Sequence, residues 1–231
     1  MEKLLLIGVC IVALIIIGCN IKGLSHIENQ QVKIIGSLLL SFTSLRYLTL
    51  IIYGNSYNLA LLNDIRYFYY ASSIGVTLLT ALAVWHVIPF LRERVAPIKY
   101  LLCFLPWIFF YLYLIIKQPT QIVENELFGY ELILLEPFNR YLGIAQGSFI
   151  VLISLLCVIG ILKYKHLQIR VELFVILLAQ GLLVIDGVNV SKCGHHFFRL
   201  FTVTEAFALW AVYYALSKAL KTIKRAIKNA S

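Results

Sequence analysis

Three ionisable side chains lie inside apolar stretches of this sequence, where an uncompensated charge is costly. Arg46 lies within "SLRYLTLIIY", Asp186 within "GLLVIDGVNV" and Glu205 within "FTVTEAFALW". Ionisable groups in such stretches usually face a protein interior and pair with one another. One base and two acids at similar depth predict a structural clamp of Arg46 with Asp186 or Glu205, or the wall of a cavity that binds a polar ligand. The two interpretations can coexist.

Uncharged polar side chains accompany these three residues. Asn189 follows Asp186 by about one helical turn, and Gln146 lies in another apolar stretch. The polar positions concentrate toward one end of the predicted helices. They favour a cavity among the second, third, fifth, sixth and seventh helices, with Asp186 at its wall and Glu136 in the connector above. The candidate ligand-binding residues are Arg46, Gln146, Asp186, Asn189 and Glu205.

The segment "KCGHH" holds Cys193, His195 and His196, which are types that ligate soft divalent metals. A structural zinc site needs four ligands, and no second Cys/His cluster supports this one. An exposed turn with Gly194 as its hinge is the favoured interpretation, and no cofactor is predicted. The sequence also lacks the HExxH, P-loop and GxSxG motifs, so an enzyme is the least favoured class.

The elements that position these residues are membrane helices. The 231-residue chain is 61% hydrophobic and 13% charged, whereas soluble proteins are about 45–50% apolar and about 25% charged. Seven apolar segments recur, each read as a helix because lipid-exposed backbone must bond to itself. Their approximate ranges are 4–21, 33–53, 69–91, 101–116, 142–162, 173–190 and 200–216. The prediction is an all-α bundle of seven spans over 1–217, with a basic tail at 218–231.

Lys and Arg in the connectors predict the orientation in a cell membrane. With the N-terminus outside, 13 of the 20 basic residues lie on the cytoplasmic side and six on the outer side. The net charge of +9 is then explained largely by basic residues that set the orientation beside anionic lipid. It does not imply a nucleic-acid partner. The alternative is a lipoprotein signal, because "IIGC" resembles a lipobox that ends at Cys19. Cleavage there would leave six spans and reverse every later connector.

Two outer connectors and the tail have patterns of their own. Residues 55–68 place Leu59, Leu62 and Ile65 on one face, which predicts an interfacial helix. Residues 117–141 carry four glutamates around an apolar run, which indicates a lid or an irregular surface loop. The tail has a basic amphipathic pattern. It predicts a helical extension that lies on anionic lipid, or a segment that docks on a membrane or cytoplasmic partner.

Three segments carry a family resemblance. They are "LLNDIRYFYYASSIGVTLLTALAVWHVIPFL", "CFLPWIFFYLYLII" and "LQIRVELFVILLAQGLLVIDGVNV". The layout resembles the seven-helix N-terminal sensor region of some bacterial histidine kinases. Such kinases continue into dimerisation and ATP-binding domains, whereas this sequence stops at Ser231. The resemblance implies a sensor region that acts through a partner, and it carries over no binding residues. A small-solute transporter or channel is the alternative function.

The orientation has a direct test. We expect a membrane-impermeant maleimide to label Asn55→Cys in intact cells. Val95→Cys and Thr222→Cys should be labelled only after permeabilisation, because both lie on the predicted cytoplasmic side. Labelling of Thr222→Cys from outside would reverse the orientation and favour the lipoprotein alternative.

Overall fold

A computed structural model describes the backbone of residues 2–125, 129–193 and 201–230, and the side chains of 3–125, 129–186 and 201–217. This part of the chain is almost entirely helical, with one short hairpin. In chain order the elements are α1 Glu2–Leu24, α2 Gln30–Asn55, α3 Leu59–Ile65, α4 Ala71–Val87, α5 Pro89–Arg94, α6 Pro97–Leu102, α7 Leu105–Lys117, β1 Thr120–Asn125, β2 Gly129–Leu134, α8 Phe138–Lys163, α9 Leu167–Cys193 and α10 Thr202–Ala230.

Five helices of the described residues are long and apolar enough to cross a membrane. These candidate spans are Lys3–Leu24, Gln30–Asn55, Leu59–Val87, Phe138–Lys163 and Leu167–Asp186. The α7 helix is apolar but has 13 residues, or about 20 Å at 1.5 Å per residue. These apolar helices are compatible with a multi-pass membrane protein. The number of seven spans stays a prediction.

Prolines set the ends of the middle helices. The predicted third span, 69–91, is interrupted because Ile88 adopts an extended conformation directly before Pro89. The α5 helix then begins at Pro89 and α6 begins at Pro97, each with proline at its first position. Two asparagines start other helices. Asn29 caps α2 and Asn58 caps α3, each accepting bonds from two backbone N–H groups.

The central element is α4, which packs against α2, α7, α8, α9 and α10. Of its 17 residues, 15 are buried, because apolar and small side chains cover every face of the helix. Gly75 allows the closest approach. A Cβ at this position would overlap Thr43 Oγ1 and would lie 3.0 Å from the Leu39 carbonyl oxygen of α2. Around this centre, α1 packs on α2 and α10, and α8 packs on α9.

The connectors at one end of the bundle are ordered. The helix predicted in 55–68 is present as α3 and a 3-10 turn, Arg66–Phe68, with Leu62 buried, while its position at the membrane interface stays a prediction. The 117–141 connector is neither helical nor irregular throughout: β1 and β2 pair antiparallel from Thr120↔Leu134 to Asn125↔Gly129. Alternating side chains with β-branched Thr, Ile and Val suit this pairing. The all-α prediction is supported by the described residues, which are mostly helical, and this two-stranded hairpin is an addition to it.

The hairpin is seated on the bundle. Its strand β2 contacts α2, and Gly129 has a φ of 100° with the Gly54 carbonyl oxygen 3.0 Å from its Cβ position. Such a conformation beside backbone suits glycine. The Tyr70 hydroxyl donates to the Leu132 carbonyl at 3.1 Å. These contacts place the hairpin over the end of the bundle that also carries α3.

We expect Gly75→Ala to lower the thermal unfolding temperature in detergent, because its methyl would overlap Thr43 Oγ1. Adding Thr43→Ala should restore part of the loss by removing that oxygen. Gly147→Ala is the matched control, since no atom lies within 4 Å of its Cβ position. Equal stability of Gly75→Ala and Gly147→Ala would contradict the close α2–α4 packing.

Candidate functional site

A buried ion pair joins α2 to α10. Arg46 Nε lies 2.9 Å from Glu205 Oε2, and the arginine is 5% exposed. The same carboxylate accepts a bond from the Ser72 hydroxyl of α4 at 2.9 Å and a longer one from the Tyr47 hydroxyl at 3.4 Å. Arg46 Nη1 donates to the Tyr69 carbonyl. The predicted pairing of Arg46 with one of the two acids is thus confirmed for Glu205.

Breaking the Arg46–Glu205 ion pair would cost a large electrostatic free energy. Separating one charge from its partner at low dielectric typically costs about 3–5 kcal/mol, although the intact pair adds little net stability over apolar packing. Ser72 and Tyr47 donate to Glu205 in addition, so three donors compensate its desolvation. The network fixes the relative positions of α2, α4 and α10.

Asp186 lies apart from this network. It is 1% exposed and accepts a bond from the Thr204 hydroxyl of α10 at 3.0 Å. The Thr204 oxygen also lies 2.9 Å from the Phe201 carbonyl oxygen. No hydrogen bond to Asp186 Oδ1 is present in the described structure. Asp186 does not border the cavity described below, and its side chain lies in the α9–α10 contact, so its predicted place at a cavity wall stays a prediction.

A cavity of about 110 Å³ lies beside the ion pair, toward the end of the bundle that carries the hairpin. Residues from α2, α4, α7, α8, α9 and α10 line it. Its polar lining comprises Arg46, Tyr70, Ser72, Ser73, Thr77, Thr80, Tyr111, Gln146, Gln180 and Glu205. Three of the five predicted ligand-binding residues, Arg46, Gln146 and Glu205, therefore border one cavity.

Gln180 is the residue that the sequence interpretation missed. It lines the cavity and is 2% exposed, yet its amide makes no hydrogen bond in the described structure. Gln146, on the α8 side, likewise has no protein hydrogen bond among the described residues. A side-chain amide that lines a cavity without a protein hydrogen bond makes that cavity a candidate for binding a molecule or water that completes its bonds.

The other candidate residues are not seen to contact the cavity in the described part of the chain. The side chain of Asn189 lies outside the described residues, as do Cys193, His195 and His196. Glu136 is exposed after the hairpin and does not line the cavity, and its predicted position in the connector above the site stays a prediction. Within the described residues, no group of three or more His, Cys, Asp or Glu side chains is arranged to hold a metal ion.

No protein-family profile matches the chain, and no curated protein matches it in sequence. The resemblance to histidine-kinase sensor regions accordingly stays a prediction. What the protein does must be argued from the ion pair, the cavity and the helices that hold them.

A double-mutant cycle tests the buried pair. We expect Arg46→Met and Glu205→Leu each to destabilise the protein by about 3 kcal/mol, because each leaves the opposite charge buried and uncompensated. Arg46→Met with Glu205→Leu should recover most of that loss, since both charges are then absent. The measurement is equilibrium unfolding in mixed detergent micelles.

Arg140→Gln serves as the control, because this arginine is exposed at the start of α8. Additive losses in the double variant, or single losses no larger than that of Arg140→Gln, would contradict a coupled buried pair.

Proposed function

We propose that the protein is an integral membrane sensor or accessory protein. Its polar cavity would face outward and bind a small ligand, and its basic tail would signal to a membrane or cytoplasmic partner. One observation carries the proposal: α10 places Glu205 at the cavity in its first turn and continues as one helix to Ala230. The candidate ligand site and the candidate output segment therefore share a helix.

Polar contacts tie the start of α10 to its neighbours. Glu205 bonds to α2 and α4, and Thr204 bonds to Asp186 of α9. The Asn20 amide of α1 donates to the Leu209 carbonyl at 3.1 Å. Four helices thus hold α10 near the cavity. A change in the packing of these helices would have to move α10 with them. Otherwise buried donors and acceptors would lose their partners, which is energetically costly.

Ligand binding at the cavity can be coupled thermodynamically to the position of α10. A ligand shifts a conformational equilibrium only by its difference in affinity between two states. A ligand beside the Arg46–Glu205 pair contacts groups from α2 and α10 at once, so it can favour one arrangement of those helices. Lys221 follows Glu205 by 16 positions, or about 24 Å along a helix. A tilt or rotation of α10 would reposition the basic tail on anionic lipid.

The cavity is better suited to sensing than to transport. Its lining on α4 extends from Ser72 to Thr80. Beyond Thr80, buried side chains such as Leu82 and Trp85 occupy the interior of the described bundle. A transporter would need a second opening at that end, and such a path would require α4 to separate from its neighbours.

The relay can be tested without a known ligand, by the rate at which trypsin cleaves the basic tail in nanodiscs with anionic lipid. We expect Glu205→Gln to change that rate by about fivefold or more, as for a typical allosteric coupling. Ser72→Ala, which removes one donor to Glu205, should give a smaller change in the same direction. Glu136→Gln is the control, because it alters an exposed carboxylate.

The same samples supply the unfolding temperature. A lower unfolding temperature with wild-type tail cleavage in both variants would identify the pair as a structural clamp and overturn the sensor proposal. Uptake of a bound solute into sealed proteoliposomes would favour the transporter instead.

A further inference from the structure

The charges that line the cavity already satisfy each other. Within the described lining, Arg46 is the basic group and Glu205 the acidic group, and they form the 2.9 Å ion pair. The remaining polar lining consists of hydroxyls and amides. An ion that entered would lose its hydration and would meet no unpaired countercharge from these residues.

The two glutamines can recognise an uncharged ligand by hydrogen bonding. Each side chain has one carbonyl oxygen that accepts and one NH₂ group that donates two bonds. Gln180 on α9 and Gln146 on α8 both border the cavity and have no protein hydrogen bond among the described residues. Gln180 is buried and Gln146 is half-buried, and donors and acceptors without protein partners at a cavity select for a ligand that supplies both.

We propose that the cavity binds a small uncharged molecule that carries hydrogen-bond donors and acceptors, such as a primary amide, a urea or a short polyol. Gln180 and Gln146 are its main hydrogen-bonding partners, while Phe149 and Leu183 pack against its carbon atoms. The inference rests on the proposed function, because it takes the same cavity to be the ligand site. It adds the chemical class of the ligand and the residues that select it.

The dimensions agree with this class. A volume of about 110 Å³ is that of about four water molecules in the liquid. An apolar guest would leave the Gln180 amide unsatisfied. A carboxylate or ammonium guest would have to break the Arg46–Glu205 pair to obtain a countercharge.

The test measures binding to the full-length protein in nanodiscs, by saturable rises in unfolding temperature and by ligand-observed NMR. The probes are isosteric pairs: acetamide against acetate, and ethylene glycol against 2-hydroxyethylammonium. We expect the neutral probes to bind with a Kd of about 1–100 mM, as for very small ligands. The charged probes should bind at least about tenfold more weakly.

Two variants and a control assign the site. Gln180→Leu should weaken acetamide binding about tenfold or more, the magnitude expected for lost hydrogen bonds to a buried group. It should also raise the unfolding temperature without ligand, because it removes an unpartnered buried amide. Gln146→Leu should weaken binding as well. Gln121→Leu alters an exposed glutamine of the hairpin and should leave binding unchanged.

Each contrary outcome is informative. Equal or tighter binding of the charged probe in either pair would overturn the neutral class while leaving the cavity as a ligand site. Binding that survives Gln180→Leu and Gln146→Leu would overturn the assignment of these residues. An absence of saturable binding by all four probes would overturn the inference, and the trypsin assay on the tail would still decide the proposed function separately.

Discussion

The ion pair between Arg46 and Glu205 is the constraint on which the rest of this structure depends. An isolated charge in an apolar bundle is expensive, so the two helices that carry these residues must stay in contact wherever the chain folds. Glu205 lies in the first turn of α10, and the preceding residue, Thr204, binds Asp186 of α9. Two adjacent positions on one helix thus fix three neighbours and leave a polar cavity between them.

Close packing makes this arrangement possible. The contact of Gly75 with Thr43 brings α4 against α2, which allows Ser72, one helical turn earlier, to reach the Glu205 carboxylate. A larger residue at position 75 would separate the helices near the ion pair. The polar network therefore depends on the glycine contact, because short hydrogen bonds across helices need short distances between the helix backbones.

Particular residues show how far the sequence predicts this site. An ion pair between Arg46 and one of the two acids was predictable, because opposite charges at similar depth in apolar segments pair with one another. Depth does not give the direction that a side chain faces, so the sequence could not decide which acid pairs with Arg46 or that Asp186 is enclosed beside Thr204. Gln180 carries no charge to single it out in "LLAQGLLVID", although an amide in such a stretch is itself a signal. The hairpin was missed because its short apolar run, mixed with glutamates, fits a loop as well as a strand.

The packing of α4 beyond Thr80 has a consequence for how such a cavity would exchange its contents. A chamber closed at one end fills and empties through the same mouth, so its occupancy follows the concentration on a single side of the membrane. Under the sensor proposal, binding there would consume no substrate and would move no solute across the membrane. Leu82 is apolar, and the indole N–H of Trp85 already donates to the Val95 carbonyl. On the sensor proposal, these two buried side chains would separate the cavity from the opposite side of the membrane.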